Sequence, residues 1–118
     1  MDRKELGSLG ECTAAAWYQN NGYRVVQMNY RQRFGEIDIV AEGKGCIVFS
    51  EVKLRAENSL VRPCEAVTYS KQRKIIMTAQ MWLLQHRTVL QPRFDVAEVI
   101  HRNGEILSCQ VIENAFGA

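Results

Sequence analysis

The chain has 118 residues, 47% of them hydrophobic and 24% charged, which is enough for one globular domain with a real core and leaves no room for a second. Residues 1–118 are therefore read as a single domain, and its formal net charge of +2 is too small to signal nucleic-acid binding unless the cations cluster. No uninterrupted apolar run suits a bilayer crossing and the segment from Met1 to Leu6 has no secretory character, so a cytoplasmic protein with no membrane partner is expected.

In chain order, residues 3–21 suit a helix closed by Gly22, whose missing Cβ makes it a good C-terminal cap. Leu6, Leu9, Thr13, Ala16 and Trp17 gather on one side of it, and Gly7, Glu11, Ala14 and Tyr18 on another. Residues 23–28 are rich in β-formers and read as the first strand, with Asn29 to Phe34 as a polar lead. Tyr30 in that lead either covers the core edge or stacks on a base. Residues 35–55 read as a hairpin, residues 56–63 as a mobile connection, and residues 64–87 as a long helix with Val67, Ile75, Ile76, Ala79, Trp82 and Leu83 in its core stripe. Gln91-Pro92 breaks that helix, residues 93–101 form a strand, and Asn103-Gly104 turns the chain into a last strand over residues 105–112, leaving a tail at 113–118 that is frayed or lightly docked. Cys12, Cys46, Cys64 and Cys109 include no Cys-x-x-Cys pair and neither histidine stands beside them, so they read as buried reduced thiols rather than zinc ligands.

The hairpin carries the chemistry. Ile37, Ile39, Val40 and Ala41 make one apolar arm, Cys46 to Phe49 the other, and Glu42 to Gly45 supply turn residues. Asp38 interrupts the first arm, and Glu51 and Lys53 end the second, where an ionised group is costly unless paired or bound to a metal. A turn centred on Gly43-Lys44 sets Ala41 against Cys46, Asp38 against Phe49 and Glu36 against Glu51, so that Glu36, Asp38, Glu51 and Lys53 share one face. Carboxylates so close repel one another unless a cation sits between them, and an all-oxygen donor set favours Mg²⁺ or Mn²⁺. Cations cluster around the same hairpin: Arg24, Arg31 and Arg33 before it, Lys53, Arg55 and Arg62 after it, then Lys71, Arg73 and Lys74. Without the metal motif, a solvated charged rim would be the better explanation of that clustering, because surfaces normally carry this much Lys and Arg.

The spacing Asp38, then Glu51-Val52-Lys53, resembles the Asp…Glu-x-Lys signature of the restriction-endonuclease-like nucleases. The likeness extends over nearly the whole chain, through Asn29-Tyr30-Arg31, Gly35 to Asp38, Phe49-x-Glu51-Val52-Lys53-x-Arg55, Glu65-Ala66-Val67, Lys71-Gln72-Arg73 and Arg93 to Val96. In this it resembles the YraN-like family of small bacterial proteins, themselves similar to archaeal Holliday-junction resolvases. The resemblance implies an α/β fold with a restriction-endonuclease-like core, a mixed β-sheet of about five strands flanked by helices. It also implies a metal-dependent endonuclease acting on structured or branched DNA, leaving a 5′-phosphate and a 3′-hydroxyl, with a homodimer as the form that cuts a junction symmetrically.

On that reading Asp38, Glu51 and Lys53 are the catalytic positions, and the Mg²⁺ or Mn²⁺ cofactor is held by Asp38, Glu51 and the Val52 backbone carbonyl. By resemblance Glu11 is a further metal ligand, although pattern alone equally allows an exposed helix glutamate; Glu36 is an additional acidic candidate. Arg31, Arg33 and Arg55 are nucleic-acid contacts, joined by Lys71, Gln72 and Arg73 on the long helix, and Asp95 is given structural work first. Two rivals remain open: a binding module that keeps the fold without cutting, and a structural or assembly protein in which Asp38, Glu51 and Lys53 form a satisfied ion network.

Overall fold

The computed structural model describes residues 1–58 and 67–117. Its elements run α1 (Arg3–Asn20), β1 (Arg24–Gln32), β2 (Gly35–Gly43), β3 (Cys46–Ala56), α2 (Tyr69–Gln85), β4 (Gln91–Arg102) and β5 (Glu105–Phe116). The strands form one sheet in the order β1-β2-β3-β4-β5, antiparallel except for the central pair β3 and β4. A parallel pair needs a crossover between its strands, and the chain from 57 to 90 with α2 supplies it. This is the expected mixed five-stranded α/β sheet flanked by helices, consistent with a restriction-endonuclease-like core.

The helices cover opposite faces. Ile75, Ala79 and Trp82 of α2 pack with Val40, Ile47, Phe49, Phe94 and Val96, whereas Ala14 and Tyr18 of α1 pack with Ile39, Ala41, Val48, Ala97 and Val99. Neighbouring strand residues thus feed opposite layers, as the two-residue period of a pleated strand requires. The buried face of α1 is Gly10, Ala14 and Tyr18. A Cβ at Gly10 would lie in ordinary contact, 3.4 Å from the Leu54 side chain, so the helix approaches β3 closely. The end of α1 matches expectation: Gly22 takes φ +88, and the Tyr23 N–H reaches back to the Tyr18 carbonyl at 3.0 Å in a Schellman arrangement.

Several boundaries move. Strand β1 continues to Gln32, because Tyr30, Arg31 and Gln32 pair with Ile37, Glu36 and Gly35; the expected polar lead is ladder. Tyr30 is buried and donates its hydroxyl to Gln85 Oε1 at 2.8 Å, which makes it core. Helix α2 begins at Tyr69, after the Thr68 side chain accepts the Lys71 N–H as an N-cap; residues 64–66 of the expected helix, with Cys64 and Arg62, lie outside the described residues. Most of the expected mobile connection lies there as well. Gln91 and Pro92 open β4 rather than break a helix, since α2 has already ended at Gln85. The tail is not frayed through Phe116: it extends β5, the Asn114 N–H donates to Asp95 at 3.0 Å, and Phe116 stacks on Phe94. Cys12 is exposed and Cys46 and Cys109 are half-buried, so the expectation of buried thiols fails for all three. No described helix is long and apolar enough to cross a membrane.

Candidate functional site

The hairpin register differs from the expected one by two residues. Gly43 pairs with Cys46, and the pairing runs through Ala41–Val48 to Ile39–Ser50. The turn is Lys44-Gly45, whose φ values of +53 and +77 are the two positive angles a type I′ turn needs. Gly43 stays in the strand, where a Cβ would meet a Tyr23 ring carbon at 2.8 Å. A slip of two leaves every side chain on its original face, and it brings Asp38 opposite Glu51 rather than Phe49.

Those two positions stand one step beyond the last β2–β3 pair, where the strands part. Alternation along β2 breaks there too: Ile37 joins Val40 in the α2-side core, while Ile39 lies in the α1-side core. The break falls at Asp38. Its carboxylate accepts the Val52 backbone N–H at 2.8 Å, so a side chain bridges β2 to β3 where ladder pairing has ended. Burial, then the facing Glu51, with smaller contributions from Glu11 and Glu36, push Asp38 up to about 7 against the pull of the Val52 N–H. A carboxyl in this position resists ionisation until a cation arrives.

Glu51 is buried beside it at 5% exposure. Its Oε1 faces two ammonium groups, Lys71 Nζ at 2.7 Å and Lys53 Nζ at 3.3 Å. Burial and the neighbouring Lys71 lower the Lys53 pKa against the attraction of Glu51. Burial alone would lower Lys71 as well, but its contacts with Glu51 and Lys53 outweigh that and raise it. Two adjacent amines are thus driven apart in proton affinity.

The remaining expected positions divide. Glu11 is half-buried on α1 and acts on Asp38 through its charge. Glu36 is exposed and pairs with Arg31 at 3.1 Å, both side chains being mostly in solvent. Among the described residues, no three Asp, Glu, His or Cys side chains converge tightly enough to hold a metal together. Of the expected acidic positions, Asp38 and Glu51 are the two that are buried and face each other. Arg31, Arg33 and Lys74 line an open depression of about 390 Å³ with the exposed Phe34. Arg55 is half-buried, and its Nε makes no hydrogen bond among the described residues. Gln72 donates to the Val67 carbonyl at 3.0 Å, tying down the start of α2, and the Arg73 guanidinium lies over the Tyr69 ring at 5.9 Å. Lys71 was expected at phosphate; sequence reasoning missed its ion pair with Glu51, twenty positions away across the crossover.

The matching model is that of the uncharacterised protein family UPF0102, over residues 10–99, a span that includes Asp38, Glu51, Lys53, Lys71 and Asp95. The chain belongs to this family. It is 42% identical over 116 residues to a UPF0102 protein of Clostridium botulinum (strain Loch Maree / Type A3), covering 96% of this chain and 94% of that one. A UPF0102 protein of Caldanaerobacter subterraneus subsp. tengcongensis is 37% identical over 119 residues, covering 100% and 97%. The YraN-like resemblance thus holds at the level of the UPF0102 family, along nearly the full length of both relatives.

A second polar cluster in this UPF0102 chain was expected only at Asp95. That carboxylate is fully buried and accepts from Tyr18 Oη at 2.7 Å, from Arg93 at 2.9 and 3.0 Å, and from the Asn114 N–H at 3.0 Å. Tyr18 Oη also lies 3.0 Å from Ser50 Oγ, and Arg93 reaches Tyr23 Oη at 2.9 Å. Every Asp95 oxygen is satisfied, so the cluster ties α1, Tyr23 just ahead of β1, β3, β4 and β5 together and needs no ligand.

Proposed function

We propose that this chain is a Mg²⁺- or Mn²⁺-dependent nuclease that hydrolyses phosphodiester bonds in structured or branched DNA. The observation that carries the reading is the pairing of two buried carboxylates, Asp38 and Glu51, at the point where two strands separate, with Lys53 beside them. The donor set fits a hard cation: both carboxylates offer oxygen, and an ammonium group already fills the cationic role at Glu51. Mg²⁺ characteristically takes one or two protein carboxylates and leaves its other positions to water and phosphate, so a third carboxylate is not required. Asp38, Glu51 and the Val52 carbonyl would hold it, with Glu11 and Glu36 adding negative potential. When bound, the cation offsets charge developing on the phosphoryl oxygens and acidifies water.

The chain's own groups do the rest. The Val52 N–H fixes the orientation of Asp38, and Lys53 holds Glu51 in place. Lys53 Nζ, as an ammonium, orients the attacking water and balances charge on the phosphoryl group as the water oxygen bonds to phosphorus and the phosphorus–oxygen bond to the leaving strand breaks, the water's proton passing to solvent. Arg55 on the same strand, and Arg31, Arg33 and Lys74 around the depression, meet the DNA backbone. Symmetric cutting of a four-way junction would use two copies of the chain.

A structural reading also has a specific observation in its favour, since Glu51 already satisfies itself with two ammonium groups. The two separate on a labelled panel of single-stranded, duplex, flapped and four-way-junction DNA, each with Mg²⁺, Mn²⁺ or chelator. Cutting that requires metal and prefers flapped or junction DNA supports the nuclease. Binding without cutting moves the reading to a binding module, and neither binding nor cutting to a structural role.

A further inference from the structure

Glu51 Oε1 is shared by two lysines that differ in freedom. Lys53 reaches it from two residues along β3, and its side chain is 16% exposed; Lys71 reaches it from the first turn of α2, and its side chain is 43% exposed. Lys53 is built in, whereas Lys71 has a route to solvent. The first turn of α2 carries no acidic residue to recapture Lys71 once it leaves. A divalent cation beside Asp38 and Glu51 would compete directly with an ammonium 2.7 Å from the Glu51 oxygen, because like charges that close repel strongly where water is scarce.

We infer that Lys71 is a placeholder cation, which closes Glu51 in the metal-free chain, withdraws when a divalent cation enters, and is then taken up by a phosphate of the nucleic acid. The inference rests on the metal-dependent reading above and adds how that site is controlled. Metal entry costs the Lys71–Glu51 pair, and a substrate phosphate gives Lys71 a replacement partner. Metal and nucleic acid therefore strengthen each other's binding, reciprocally, as linkage demands. Lys71 acts here as a positioning residue.

The test is Mn²⁺ binding by calorimetry at pH 8 to the full chain, comparing wild type, Lys71→Met and Lys71→Arg, each alone and with a phosphorothioate DNA duplex. Lys71→Met should bind Mn²⁺ about tenfold tighter than wild type without DNA, since a competing charge is gone, while Lys71→Arg should stay within about threefold. The duplex should tighten Mn²⁺ binding to wild type more than to Lys71→Met. Lys71→Gln, which keeps a donor for Glu51, replaces Lys71→Met if the latter does not fold. Mn²⁺ binding to wild type that is unchanged or weakened in Lys71→Met overturns the placeholder role alone. Absence of Mn²⁺ binding in every variant, with and without DNA, overturns the metal-dependent reading and the inference with it.

Discussion

Replacing Asp38 by Asn should stabilise the metal-free protein while abolishing the proposed hydrolysis, and the gain should depend on pH. Asp38 is 7% exposed, and its pKa rises from 3.8 to about 7 through burial first and then the facing Glu51. The folded state therefore holds a proton that the unfolded chain releases, so stability falls as pH rises from about 4 to about 7 and is level above that. A shift of about 3 units corresponds to about 4 kcal/mol at most, and water and side-chain rearrangement reduce such costs in real proteins. Asn keeps an acceptor for the Val52 N–H and offers Glu51 a donor. The expected gain at pH 8 is about 1–4 kcal/mol, or roughly 4–16 °C in Tm for a domain of this size. Urea and thermal unfolding in chelator at pH 4.5 and pH 8 measure it. A gain of the same size at both pH values, or none at pH 8, would refute the electrostatic account of this site.

Three further outcomes follow from the same geometry. Mn²⁺ at one hundred times its Kd at pH 8 should stabilise the wild type by about 2.7 kcal/mol at that pH, and by less at pH 5.5 at the same concentration because binding displaces the Asp38 proton; thermal shift at the two pH values checks it. Tyr18→Phe removes a hydroxyl from both Asp95 and Ser50 and should cost about 1–3 kcal/mol, and Asp95→Ala, which strands the largely buried Arg93, about 3–5 kcal/mol, both read by urea denaturation. Gly43→Ala drives a methyl against the Tyr23 ring and the Gly22 carbonyl, at 2.8 and 3.0 Å, and should cost about 1–3 kcal/mol in the same assay.

What the sequence disclosed here depended on local signals. The Gly22 cap, the Asn103-Gly104 turn and the charged interruptions at Asp38, Glu51 and Lys53 are each legible within a few residues. The face shared by Phe49, Glu51 and Lys53 survived a wrong register because a slip of two preserves it. Register itself was not legible, since Gly43-Lys44 and Lys44-Gly45 are both turn-like dipeptides, and Gly43 stays in the strand against Tyr23, which comes from the turn ahead of β1. Long-range partners were hidden for the same reason. Lys71 meets Glu51, Tyr18 meets Asp95 and Asn114 meets Asp95 only after the sheet has assembled, and no periodicity encodes those contacts. One signal was available: a buried glutamate followed two residues later by a single lysine invites a search for a second cation.

The central claim is that Asp38, Glu51 and Lys53 form a hydrolytic centre. Single-turnover cleavage of labelled junction DNA with Mn²⁺ tests it directly, using wild type, Asp38→Asn and Lys53→Ala purified side by side, with DNA affinity measured on the same samples. Both substitutions should lower the cleavage rate by about 100-fold or more while affinity changes only a few-fold, and chelator should stop the wild type. Variants that cut as fast as wild type, or cutting that survives chelator, would contradict it.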